Sequence, residues 1–208
     1  MRRGQVETIS IILVAGIIIS LAGAAYFWGK PAIEKRSTLA DIANAKAFVV
    51  QLDKDIVEVA KSGGTRTVSI PKIAGSSLSV NTTGNEILFR FVTAQAMLDM
   101  QDGTGVVPVE TFDEEAVGRY GGSPRIITLE AQKTGQQYLM ILRLKYRELN
   151  TKDPTAPRGY QIVLEDGGSA SEGSPGAVSV FFKEIDVDSR PASAGGELTK
   201  TVVSVSLS

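Results

Sequence analysis

Glu110, Asp113, Glu130, Glu165 and Glu184 are the carboxylates that could supply the acid and base, or acid and nucleophile, of glycoside hydrolysis. That reaction needs two such groups at a defined separation, and the sequence sets none, so no catalytic residue is assigned. Asp113, Glu114 and Glu115 offer oxygen ligands to calcium, but their spacing fits no EF-hand loop, and acids at a helix start are favoured by the helix dipole in any case. Asp99, Asp102 and Gly103 fall short of the six or more oxygens calcium takes and read as a solvated turn. No metal or cofactor is expected. The chain has no cysteine and no histidine, which removes thiolate nucleophiles, imidazole bases and the usual soft metal ligands. The glycine pairs at 63–64, 121–122 and 167–168 form no phosphate-cradling loop. With 22 basic and 23 acidic residues there is no electrostatic case for a nucleic-acid partner. Asn81-Thr82-Thr83 is an N-glycosylation acceptor in a polar stretch between two strand candidates, and chance sequons are equally common there. An enzyme is not expected.

The element that must position everything else is apolar. From Ile9 to Trp28 the chain carries no charge, matching the roughly 20 residues and 30 Å a helix needs to cross hydrocarbon. Tyr26, Phe27 and Trp28 close the run with rings that favour the headgroup layer, and Gly29, Lys30 and Pro31 follow. A conventional secretory signal is the rival reading, carried by Ala22-Gly23-Ala24; against it stand the short N-terminal flank and an apolar run that continues to Trp28. Charge counting leaves the orientation open, since Arg2 and Arg3 face Lys30, Lys35 and Arg36 across the span. Gly16, Ser20 and Ala24 recur every four residues on one helix face, either as a close-packing surface for another helix or as the small residues common in any membrane helix. Glu7, two residues before the run, either stays at the water boundary or finds a partner among neighbouring helices, the second being an assembly role.

The opening MRRGQVETIS, followed directly by this helix, resembles the precursor N-terminus of archaeal type IV pilins and archaellins. The resemblance covers about the first thirty residues. It implies that Arg2 and Arg3 are cytoplasmic recognition charges, Gly4 precedes the scissile bond, and Gln5 becomes the mature N-terminus with the hydrophobic helix still attached. It also implies a prepilin peptidase as processing partner and an extracytoplasmic head. The chain departs from the related Gln-x-Ser-x-Glu pattern: its glutamate is Glu7 and no serine precedes it.

Beyond Pro31, apolar Leu39, Ile42, Ala45, Val49, Leu52, Ile56 and Val59 step by three and four, predicting an amphipathic helix that stops near Lys61 at Ser62-Gly63-Gly64. Asp41, Lys46, Asp53, Lys54 and Glu58 read as its polar remainder. The apolar stripe either covers the chain's own head or packs with neighbouring stalks. From Gly64 the pattern turns to period two, with strands expected at 65–70, 77–81, 86–92, 137–147, 160–165, 177–187 and 199–207. The stretches after Asp166 and from Arg190 to Gly196 read as loops between antiparallel strands. Residues 99–124 resist assignment apart from a short helix running from Asp113 to Arg119.

The expected fold is therefore α+β: a long N-terminal hydrophobic helix continuing into an amphipathic stalk, with an antiparallel β-sandwich or barrel-like head. Its parts are a leader and membrane helix at 1–30, a stalk at 31–64 and a head at 65–208. Two functions fit. The first is a structural subunit of a type IV pilus-like filament or pseudopilus, held in the membrane as precursor and later assembled with identical or related subunits at the cell surface. The second is a single-pass anchored binding domain that never polymerises.

Overall fold

The computed structural model describes residues 3–95, 104–109, 125–150, 158–167, 176–191 and 196–207. One helix, α1 (Arg3–Ser62), is followed by ten strands: β1 (Thr65–Ser69), β2 (Ser77–Asn81), β3 (Glu86–Thr93), β4 (Thr104–Pro108), β5 (Arg125–Thr134), β6 (Gln137–Tyr146), β7 (Leu149–Asn150), β8 (Arg158–Asp166), β9 (Ala177–Pro191) and β10 (Glu197–Leu207). The chain divides into two compact units between Ala40 and Asp41.

The first unit is helix alone. α1 runs through Pro31 without interruption. The ring removes one backbone donor there but does not end the helix.

The second unit combines the C-terminal part of α1 with two five-stranded sheets, ordered β1-β9-β10-β8-β7 and β2-β3-β6-β5-β4. Ile42, Ala45, Phe48, Val49, Leu52, Ile56, Val59 and Ala60 are buried in one cluster with residues of both sheets. The stripe thus covers its own head, which decides between the two readings of it. Leu39, expected in that stripe, is exposed. In the second sheet the inward residues align in three rows, Ile87-Leu144-Ile127, Phe89-Leu142-Leu129 and Phe91-Met140-Ala131, and Phe48 of the helix meets Phe89 with ring centroids 5.2 Å apart and planes tilted by 56°. Alternation thus places these side chains of β3, β5 and β6 in the core that they share with the helix and the other sheet. The helix ends where Gly63 and Gly64 take positive φ, with the Gly63 amide donating to the Val59 carbonyl at 2.8 Å.

The sheets differ from the expected antiparallel head in one pairing. β9 returns as β10, which lies between β9 and β8 and runs parallel to β8. Because β8 and β9 are not neighbours, the returning strand meets β8 in the same direction. β4 and β5 were not among the expected strands; β4 falls inside the unassigned 99–124 stretch, while the expected helix from Asp113 to Arg119 lies outside the described residues.

Asn85 joins the two sheets. It sits at φ 52° in the β2–β3 turn, a left-handed conformation asparagine tolerates better than most residues. Its side chain donates to the Ile162 carbonyl at 2.7 Å and accepts from the Leu164 amide at 2.8 Å, pairing with β8 as a strand backbone does. Its carbonyl accepts from the Tyr146 amide at the end of β6.

Candidate functional site

The candidate site is the apolar part of α1. From Ile12 through Trp28 every side chain is exposed, with Ile19 at 72 %. Among the described residues one helix is long and apolar enough to cross a membrane; it lies near the N-terminus, and its apolar window is 0 % buried. A core helix of a soluble protein would bury this surface against its own chain. Among the described residues nothing covers these large aliphatic side chains, which is consistent with a single membrane-spanning helix.

Gly16, Ser20 and Ala24 lie on one side of this segment as the spacing requires. Ser20 donates its hydroxyl to the Gly16 carbonyl at 2.8 Å, so the only polar side chain in this face satisfies its donor within the helix. Leu13, Gly16, Ile17, Ser20 and Leu21 line a shallow groove there, and a Cβ built at Gly16 would meet no other atom. Arg3, Gly4, Gln5 and Glu7 have helical backbone, but their side chains fall outside what is described, as does Arg2 altogether.

Asn81 ends β2 inside a tight polar turn. Its amide nitrogen donates to Glu86 Oε1 at 2.9 Å and its carbonyl oxygen accepts from the Gly84 amide at 3.0 Å. A Cβ at Gly84 would stand 2.7 Å from the Asn81 nitrogen, so a side chain there would push the ends of the Asn81 and Glu86 side chains away from it. The acceptor amide of the sequon is therefore in structural use.

Of the carboxylates considered for hydrolysis, Glu130 faces Arg143 at 3.6 Å and Glu165 holds Lys183 at 2.6 Å. Glu184 is exposed on β9. Glu110, Asp113, Glu114 and Glu115, together with Asp99, Asp102 and Gly103, lie outside the described residues.

Two polar clusters escaped the sequence reading. Asp53, expected on the polar side of the helix, is fully buried. It accepts from the Tyr146 hydroxyl at 2.9 Å, and its other oxygen lies 2.8 Å from Arg125 Nε. Position 53 is four residues after Val49 and three before Ile56, so it belongs to the buried stripe by spacing; only its charge argued otherwise. Burial first, then the Asp53 charge and hydrogen bond, push the Tyr146 phenol well above its ordinary range. In the second cluster burial raises the Glu86 carboxyl, but hydrogen bonds from Arg143 and Asn81 and the charges of Arg143 and Lys145 outweigh it, and the net shift is downward. The Glu86 hydrogen bond in turn raises Arg143. Both clusters hold elements together, the first fixing α1 to β5 and β6, the second tying β2, β3 and β6 across the sheet. Among the described residues no group of three metal-ligating side chains is close enough to hold an ion.

Comparison with protein-family models, with curated proteins and with solved structures finds no match to this chain.

Proposed function

We propose that this chain is a structural subunit of a type IV pilus-like archaeal surface filament or pseudopilus, cut by a prepilin peptidase after Gly4 and assembled through its N-terminal helix. The observation that carries the reading is the fully exposed apolar segment attached to a unit that already has its own complete core. The core cluster of the β-rich unit is built from residues between Ile42 and Val205 and includes none of residues 12–28. That segment is free to sit in lipid as a precursor and later to exchange lipid for identical neighbours. Each large apolar side chain so buried is worth about 1.5–3 kcal/mol relative to water, so extraction from the membrane must be coupled to assembly. The Gly16, Ser20 and Ala24 face suits close approach of neighbouring helices, and Glu7, two residues before the apolar run, is a charge an assembled bundle has to satisfy. The head then lies outside the cell, on the filament surface.

The second reading is a permanently anchored, single-pass ectodomain that binds a ligand and never polymerises. Ile185 and Val187, 62 % and 56 % exposed on β9, favour it as apolar contact points on the head.

Native expression followed by electron microscopy separates the two. The filament reading expects fibres containing this chain, and their loss when Gly4→Trp blocks processing. Membrane-bound protein without fibres, unchanged in mass by Gly4→Trp, favours the anchor.

A further inference from the structure

Resting on the membrane reading above, we infer that residues 26–36 form a collar that binds the phosphates of anionic lipids in the leaflet nearest the head-bearing end of the span. At about 100° per residue, Tyr26, Phe27 and Trp28 point in three directions around the helix, and they are 64 %, 78 % and 87 % exposed. Lys30, Lys35 and Arg36 also divide the full circumference, and all are exposed. A lipid layer meets every face of the helix that crosses it. Aromatic side chains over about 200° of the helix, then cations around all of it, match the order of an interface crossed outward from hydrocarbon.

The direction of the side chains adds a second argument. Cα–Cβ bonds in a helix lean toward its N-terminus, so cations placed after a span reach back toward the bilayer and meet phosphate there. Pro31 adds a third. It removes the donor that would have met the Phe27 carbonyl, a loss that hydrocarbon penalises and that water or a headgroup makes good. Glu34 lies 3.8 Å from Lys30 and shares part of its charge, leaving Lys35 and Arg36 as the principal phosphate contacts. The collar also accounts for basic residues on both flanks of the span, which charge counting alone left unexplained.

Trp28 is the only tryptophan in the chain, so its fluorescence reports the collar directly. The full-length protein is reconstituted into nanodiscs of equal parts phosphatidylcholine and phosphatidylglycerol, and the lipids retained on release are counted by native mass spectrometry. The expected result is several-fold enrichment of phosphatidylglycerol, lost in Lys30→Gln/Lys35→Gln/Arg36→Gln and kept in Lys46→Gln/Lys54→Gln. Trp28 is expected to be quenched more by lipids brominated near the headgroup than by those brominated deep in the chain. Equal retention of both lipids by the wild type, enrichment that survives the triple substitution, or deepest quenching at the bilayer centre overturns the collar. If the protein fails to float with vesicles at all, the membrane reading falls with it; flotation without lipid preference removes the collar alone.

Discussion

A single helix shows opposite solutions in its two parts. Between Ile12 and Trp28 it leaves isoleucine, leucine and tryptophan in the open, while between Asp41 and Ser62 it buries a carboxylate completely. The second part has partners in its own chain: Tyr146 and Arg125 compensate Asp53, and both sheets contribute to the surrounding core. The first part has none among the described residues. In the proposed function lipid or further copies cover it, and the contrast between the parts is the physical basis of that proposal.

The comparison breaks most easily at the apolar segment. Ile17→Lys with Leu21→Lys should cost about 5–7 kcal/mol of insertion free energy, from roughly 2.5–3.5 per charge near a helix centre. Flotation with vesicles should fail, while the melting of the β-rich unit stays unchanged. A matching fall in head stability would mean the two parts are not independent. Next in size, Asp53→Ala removes one member of a buried ionic cluster and should destabilise that unit by about 3–5 kcal/mol, read from denaturant unfolding. Replacing all three members together, Asp53→Leu/Arg125→Met/Tyr146→Phe, should recover much of the loss, because no charge is then left buried without its partner.

A cut at Asn85 tests how the sheets are joined. Asn85→Ala leaves the Leu164 amide and the Ile162 carbonyl without their side-chain partners, and should cost about 1–3 kcal/mol in the same measurement.

The smallest effects are in pH. Tyr146 is raised in the folded state, so the folded protein resists ionising it. Its contribution is complete below the ordinary tyrosine value of about 10 and declines as pH rises above it. Glu86 is lowered, so its contribution is complete above the ordinary glutamate value of about 4.3 and is lost as pH falls through the depressed folded value. Tyr146→Phe should remove the alkaline decline and Glu86→Gln the acid one, each read from melting temperature against pH.

Periodicity made much of this fold legible. The apolar stripe from Ile42 to Val59 and the Gly63-Gly64 stop follow from spacing and turn chemistry, and β2, β3 and β6 begin where alternation begins. β5 alternates equally well through Ile127, Leu129 and Ala131, but it follows a Gly- and Pro-punctuated stretch that hid its start. The parallel pairing of β8 with β10 could not be read, since strand order depends on which neighbour a returning strand meets. Asp53 was missed for a related reason. Its charge placed it in solvent, and the groups that permit its burial lie 72 and 93 residues away. The apolar span was plain from composition, whereas what covers it does not lie among the described residues.

In the proposed function the hydrophobic helix survives maturation as part of the working protein. Intact mass and the N-terminal peptide of the native chain test it most directly. The account predicts a first residue of Gln5, with the Ile9–Trp28 segment present. A native protein that starts beyond Ala24 and is recovered as a freely soluble head would contradict it.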